Sequence, residues 1–272
     1  FKQLRPLIHA FPPETAHAFG LWALRLGLLP AANLPDDPLL QVRAFGLSFK
    51  NPLGLAAGFD KNAAAVDALL GQGFGFVEAG TVTPRPQAGN PRPRIFRLSE
   101  DGAVINRLGF NNEGLAAFTH NLAKHQKPRG IVGANIGKNK DAPDAAGDYA
   151  QGLCAVYALA DYITINISSP NTQGLRDLQQ REALGSLLGE LSKTRKACEH
   201  AHGRRVPMLL KVAPDLSMGE KEDIAAQVLA HGIDGMIISN TTVSRPDALK
   251  SMQRGEQGGL SGQPLFSLST AA

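Results

Sequence analysis

From about residue 40 the sequence alternates short, nearly continuous apolar runs with amphipathic helical stretches, and no other feature limits the possible folds so strongly. The runs are NPLGLAAG (51–58), FGFVEAGTV (74–82), GIVGANIG (130–137), DYITINISS (161–169), VPMLLKVAP (206–214) and GMIISNT (235–241). Apolar strands separated by helices form a parallel sheet with both faces covered. Two architectures accept that pattern, an open doubly wound sheet and an eight-unit βα barrel, and the polar residues choose between them. Gly58 and Lys61 follow the first run, Thr81 the second, Asn135 and Lys138 the third, Asn166, Ser169 and Asn171 the fourth, Lys211 the fifth, and Asn240 and Thr241 the sixth. Polar groups at the C-terminal end of every strand are how a βα barrel builds its site. A doubly wound sheet gathers its chemistry at one switch point behind a glycine-rich fingerprint, which is absent here. The expected fold class is therefore α/β, a (β/α)8 TIM barrel with about six of the eight units present.

Local punctuation supports this division. Ser217 and Glu220 form a capping-box pattern at the start of SMGEKEDIAAQVLAHG, and Gly232 closes that helix. Glu100-Asp101-Gly102 between two alternating runs reads as a hairpin inserted after the second strand, and VRAFGLSFKNP before the first strand reads as a smaller one.

Upstream of the barrel, Phe1, Leu4, Leu7, Ile8 and Phe11 recur at helical spacing beside Lys2 and Arg5. After the Pro12-Pro13 break, a second helix carries Ala16, Phe19, Trp22, Ala23 and Leu26 on one face, widened by Leu21, Leu24 and Leu28. Two uses fit such a pair: packing on its own domain, which periodicity alone favours, or lying in a membrane interface with Lys2, Arg5 and Arg25 near anionic headgroups.

Composition removes several function classes. A 272-residue chain with 43% hydrophobic content can bury a large core. Its 28 basic and 24 acidic residues leave a mild +4, with no arginine-rich arm or basic stripe for nucleic acid. No apolar run is long enough to span a bilayer, and no signal-peptide pattern opens the chain. Cys154 and Cys198 are far apart in sequence, without metal-ligand spacing or a histidine pair, so no metal site is expected and a reducing compartment fits.

Each rim residue taken singly has a bland explanation in turn chemistry or solvation. Together, Lys61, Lys211 and at least four asparagines share one mouth, where unpaired polar groups are costly and an anionic, hydrogen-bonding ligand would satisfy them. An asparagine amide offers a donor and an acceptor side by side, which matches the edge of a pyrimidine or of an isoalloxazine ring.

The segments NPLGLAAGFDKN, VEAGTVTPRPQAGNPRPRIFRL, INRLGFNN, GANIGKNK, NISSPNTQGLR, LLKVAPDL, ISNTT and GGLSGQPL resemble, in order and spacing, the motifs of the quinone-dependent, membrane-associated class of dihydroorotate dehydrogenase. The resemblance implies oxidation of dihydroorotate to orotate in pyrimidine (UMP) synthesis, with one FMN per chain and a membrane quinone as electron acceptor. Ser169 matches the family's catalytic base. Lys61, Asn106, Arg107, Leu108, Gly109, Phe110, Asn166, Asn171, Asn240 and Thr241 match the substrate-binding set. Ala57, Gly58, Phe59, Asp60, Lys61, Thr81, Asn135, Asn166, Lys211, Ser239 and Gly262 match the cofactor-binding set, with Lys211 as the charge near flavin N1. Residues 1–35 are similar to the family's membrane and quinone-tunnel extension, which turns the choice for the helical pair toward the membrane, and residues 36–272 to its flavin-binding barrel. A peripheral location on the cytoplasmic face of a bacterial inner membrane follows from the same likeness. Loops 171–180 and 243–262 are expected to act as lids.

The soluble, fumarate- or NAD-linked class of the family places cysteine where Ser169 stands. A flavin-free barrel fragment or membrane-docking protein is the alternative from another class. By the resemblance, the sequence ends at the start of the sixth crossover helix, PLFSLSTAA, and a longer protein with two further βα units is expected.

Overall fold

The computed structural model describes residues 5–32, 37–125 and 130–272. Phe1, Lys2 and Leu4 of the N-terminal pattern lie outside the described residues.

Six parallel strands make one curled sheet, the half-barrel expected of six βα units. They are β3 (Gly54–Leu55), β4 (Phe76–Val82), β7 (Ile131–Ile136), β8 (Tyr162–Asn166), β9 (Met208–Val212) and β10 (Gly235–Ile238), adjacent in that order. The first run supplies only two strand residues. Beyond Leu55 the chain turns into a loop held by Asp60, whose carboxylate accepts from the backbone N–H of Ala64 and Ala65, each at 2.8 Å.

The helices α3 (Val66–Leu70), α4 (Gly114–Leu122), α5 (Ala145–Val156), α6 (Arg181–His202) and α7 (Met218–Ala230) follow β3, the hairpin, β7, β8 and β9. Strand period two divides the side chains. Val77, Ala79, Val132, Ala134, Ile136, Ile163, Ile165, Met208, Leu210 and Val212 join the helices in one buried core. The alternate positions, Glu78, Asn135, Tyr162, Thr164, Asn166 and Lys211, leave that core and are buried on the opposite face. Helix α7 starts with the expected capping box between Ser217 and Glu220, and Gly232 beyond its end has φ 62°.

Both hairpins are present. β1 (Val42–Ala44) pairs with β2 (Leu47–Phe49), and β5 (Ile95–Leu98) with β6 (Ala103–Asn106) around Gly102, whose φ of 57° favours glycine. One outcome differs from expectation. Within 243–262, β11 (Gly259–Gly262) adds to β6 as a third antiparallel strand, and Leu260 closes a second small core with Phe96, Leu98, Ala103, Ile105 and Leu249. The Arg245 guanidinium donates to the carbonyls of Arg254, Glu256 and Gly258. This segment is pinned to the hairpin, and GGLSG concealed its strand because glycine carries no side-chain pattern.

Helices α1 (Arg5–Ala10) and α2 (Pro13–Arg25) precede the barrel. The apolar face of α2 divides in two. Ala23 and Leu24 are buried, with Leu21 packed against the core, while Phe19 and Trp22 stand outside with Leu26 and Leu28. Among the described residues no helix is long and apolar enough to cross a membrane.

Helices α5 and α6 bring the sequence-distant Cys154 and Cys198 together, Sγ to Sγ at 3.3 Å, as free thiols. Burial, with Cys154 beside it, pushes the Cys198 thiol up to about 12.

Candidate functional site

The inner-face residues of β4, β7 and β8 form one hydrogen-bonded set. Glu78 accepts from Asn135 Nδ2 (2.8 Å), Thr164 Oγ1 (2.9 Å) and the Tyr162 hydroxyl (3.1 Å). Thr81 Oγ1 donates to Asn135 Oδ1 at 2.6 Å and accepts from Asn166 Nδ2 at 2.9 Å. Asn166 Oδ1 accepts from the backbone N–H and hydroxyl of Ser168 and from Asn240 Nδ2. Five barrel strands or their following loops thus reach one place, since Asn166 and Lys211 are in register on neighbouring strands.

Ser168 and Ser169 lie beyond the end of β8 at Asn166 and differ in their hydrogen-bond partners. Ser168 is fully buried and committed to Asn166 and Asn240, which donates to its Oγ at 3.1 Å. Ser169 Oγ accepts only from the Asn171 backbone N–H, at 3.3 Å, among the described residues, so its own proton is uncommitted. Asn171 Nδ2 reaches Asn106, donating to its carbonyl at 3.1 Å and to Oδ1 at 3.2 Å. The hairpin end and the loop after β8 therefore meet beside Ser169.

The site is electropositive. Lys61 donates to the Gly58 carbonyl at 2.8 Å, and burial holds its pKa down to about 8, with Arg94 and Lys211 adding repulsion and Glu14 opposing it. Lys211 is buried, yet its ammonium makes no hydrogen bond or ion pair among the described residues. A buried cation without a partner calls for an anion. Gly58, with φ 111°, donates to the Gly80 carbonyl at 2.8 Å, and a Cβ at Gly80 would collide with the Asn135 backbone, so Gly80 allows the β4 rim its close packing.

Several matched residues turn elsewhere. Asp60 is spent on its own loop, and its carbonyl accepts from Gly80 N–H. Phe59 lies edge-on to His17 at 4.9 Å, and His17 Nε2 donates to its carbonyl at 2.7 Å. Burial, foremost, lowers the His17 pKa. Arg107 stacks over Phe96 at 4.5 Å and pairs with Glu256 at 2.7 Å. Phe110 is buried with φ 54°, Gly109 packs against Asn90, and Leu108 N–H points at Asn106 Oδ1. Ser239 donates to the Asn240 carbonyl, and Thr241 N–H to Asn240 Oδ1. Ala57 lies in the loop beyond β3. Gly262 stands at the far end of β11, beside Gly102 and Ala103 at the hairpin turn, apart from this set.

Three groups escaped the reading by motif. Glu78 anchors the inner network, and a lone carboxylate inside an apolar strand was the available signal. Arg176 donates to the Ser168 carbonyl (3.1 Å), the Thr241 carbonyl (3.1 Å) and Asp215 (3.0 Å), tying together the loops after β8, β9 and β10. Burial raises the Asp215 pKa, but hydrogen bonds from Thr242 and Val243 N–H, with Arg176 beside it, hold it below the usual carboxylate range. Arg94 holds Glu14 of α2 through its Nε and Nη2, and donates from Nη1 to the carbonyls of Ala88 and Asn90. That contact holds the Glu14 pKa down, and a second guanidinium, Arg92, reinforces it. Only long-range contacts reveal Arg176 and Arg94.

Between α2 and the barrel rim lies a cavity of about 1110 Å³. Ala18, Leu21, Trp22, Phe59 and Ile95 give it apolar walls, and Lys61 and Arg94 stand in it. Its lining runs from α2 to the loop after β3 and the segments that flank the hairpin.

Residues 39–272 match the family model described as dihydroorotate dehydrogenase. A protein of Azorhizobium caulinodans named dihydroorotate dehydrogenase (quinone) is 54% identical over 272 residues, covering 99% of this chain and 76% of the relative. One of the same name from Rhizobium leguminosarum bv. trifolii is 56% identical, covering 100% and 75%. The crystal structure of DHODH in complex with ferulenol from Eimeria tenella matches with a TM-score of 0.91 at 45% identity, over 95% of this chain and 74% of that one.

Proposed function

Since the chain belongs to the dihydroorotate dehydrogenase family, we propose that it oxidises dihydroorotate to orotate in pyrimidine synthesis, using FMN and a membrane quinone. The observation that carries this reading is the joint presence of an uncommitted Ser169 hydroxyl, an amide network ending beside it, and two buried lysines near enough to repel one another.

The residues suit an anionic, planar cofactor. Lys211 has no anionic partner among the described residues, Gly80 packs backbone against Asn135, and Thr81, Asn135 and Asn166 present hydroxyl and amide groups. Ala57, Gly58, Lys61, Thr81, Asn135, Asn166, Lys211 and Ser239 would hold it, and Gly262 only through the hairpin turn. When bound, FMN would supply the acceptor for the hydride of carbon 6 of dihydroorotate and the route of its electrons to quinone.

The chain's own groups do the rest. Ser169 takes the proton from carbon 5 as its own hydroxyl proton passes to a water, with its oxygen oriented by Asn171 N–H. Asn106, Asn166, Asn171 and Asn240 read the pyrimidine edge, and Lys61 faces the carboxylate. Residues 1–35 form the quinone extension and 36–272 the catalytic barrel. The exposed Phe11, Phe19, Trp22, Leu26 and Leu28 with Arg25 dock peripherally on the cytoplasmic face of the membrane.

The test is steady-state turnover: dihydroorotate should drive quinone reduction with one orotate formed per quinone consumed, and failure to form orotate with any acceptor would overturn the reading.

Lys61 adds a pH signature. An unfolded lysine keeps its proton to its ordinary 10.5, while the folded one gives it up near 8. Between those values the unfolded chain holds more protons, so stability rises with pH across that window. A carboxylate beside the ammonium favours the charged form. Orotate affinity is therefore expected to be flat below pH 8 and to fall by about tenfold per unit above it, as one coupled proton requires. Calorimetric titration across that range checks this, and Lys61→Met should bind weakly without the break.

A further inference from the structure

We propose that Glu78, buried beneath the site, is a positioning residue that fixes the direction of the hydrogen-bond chain reaching Ser168 and Asn240. The proposal rests on the reading of Asn166 and Asn240 as substrate-binding groups.

The direction follows from what each group is able to do. A carboxylate only accepts, so Asn135 must present its Nδ2 to Glu78, as it does at 2.8 Å. The other Glu78 oxygen is filled by the hydroxyls of Thr164 and Tyr162. Burial, first, and then Glu78 itself raise the Tyr162 pKa well above its ordinary value, so this phenol stays a donor. With its NH₂ turned down, Asn135 offers only Oδ1 to Thr81, whose hydroxyl must donate (2.6 Å). The Thr81 oxygen then accepts from Asn166 Nδ2 (2.9 Å). Asn166 is left with Oδ1 pointing at Ser168 and Asn240, where the Ser168 backbone N–H, an obligate donor, meets it at 3.3 Å.

An asparagine turned by 180° exchanges donor and acceptor at nearly unchanged shape. Nothing in the size of Asn135 or Asn166 selects one orientation. The acceptor-only group at the bottom and the donor-only group at the top select it jointly, and Thr81 is the relay between them. Asn135 and Thr164 are fully buried, so water offers no easy substitute for their links. The pattern shown to a pyrimidine by Asn166 and Asn240 is thus set jointly by the Ser168 N–H and by a carboxylate that touches neither of them.

The test is a double-mutant cycle on the flavin-loaded protein, read by orotate affinity. Glu78→Gln keeps the shape but adds a donor where only an acceptor stood. It is expected to weaken orotate binding by about tenfold or more, because buried groups lose their partners. In a Thr81→Val background, where the relay is cut, Glu78→Gln is expected to cause no further loss, and in Thr81→Ser, which keeps the hydroxyl, the loss returns. Equal losses in the wild-type and Thr81→Val backgrounds would show Glu78 to be merely structural and overturn the proposal. The side-chain amide resonances of ¹⁵N-labelled asparagine give a ligand-independent reading: Glu78→Gln should shift Asn166 in the wild-type background but not in the Thr81→Val background. If the wild type binds no orotate, the functional reading fails while these resonances still decide the role of Glu78. Should Glu78→Gln not fold, Thr81→Val alone must show the loss, and wild-type affinity in that variant overturns the proposal.

Discussion

Ser169→Ala is expected to oxidise dihydroorotate about 10² to 10⁴-fold more slowly than the wild type, the range general base catalysis supplies. Flavin content and orotate affinity should change little, because among the described residues Ser169 Oγ makes one hydrogen bond, accepting from Asn171 N–H, and holds no part of the amide network. Ser168→Ala makes the opposite split. It removes an oxygen that receives Asn240 and a hydroxyl that donates to Asn166, so ligand affinity should suffer first. Rapid-mixing measurement of the first turnover separates the two. Near-normal oxidation by the Ser169 variant would assign the proton transfer to another group.

Removal of residues 1–30 is expected to abolish turnover with long-chain quinones while dihydroorotate oxidation by a soluble dye persists. The deleted segment carries the outward Phe19, Trp22, Leu26 and Leu28 and one wall of the cavity leading to Lys61. It also carries Glu14, the acid that meets Arg94, and Leu24, which packs in the core. Some stability will be lost with them, since the buried Arg94 guanidinium is left without its acid. Glu14→Gln removes the charge while leaving the helices in place, and its unfolding midpoint measures that cost separately. Equal loss of both half-reactions in the deletion would make the extension a structural element of the barrel.

The parallel half-barrel was legible because its strands are apolar on the helix side and are interrupted by polar residues at the rim, a pattern read from order alone. The serine pair shows how far such reading reaches. Alternation would divide Ser168 from Ser169 only if the strand reached them; β8 ends at Asn166, and it is the hydrogen bonds that identify Ser168 as the occupied one. What stayed hidden is non-local. Strand β11 pairs with β6 across more than 150 residues, in register at Gly259 and Asn106, and its glycines carry no periodic signal. Arg176 and Arg94 take their places through carbonyls and carboxylates on other loops, and a long flexible cation in a loop looks like a solvated one until those partners are known. The two cysteines meet only because α5 packs on α6. Glu78 was visible as a charge within FVEAG, but its role depends on the register that sets Gly80 opposite Asn135 and Asn135 opposite Thr164.

The visible spectrum of the anaerobic purified protein, recorded before and after addition of dihydroorotate, bears most directly on the central claim. A flavin band that bleaches as an equivalent of orotate forms is the predicted result, and it establishes cofactor, substrate and first half-reaction together. A bound flavin that dihydroorotate leaves oxidised, or a protein without flavin, would contradict the account.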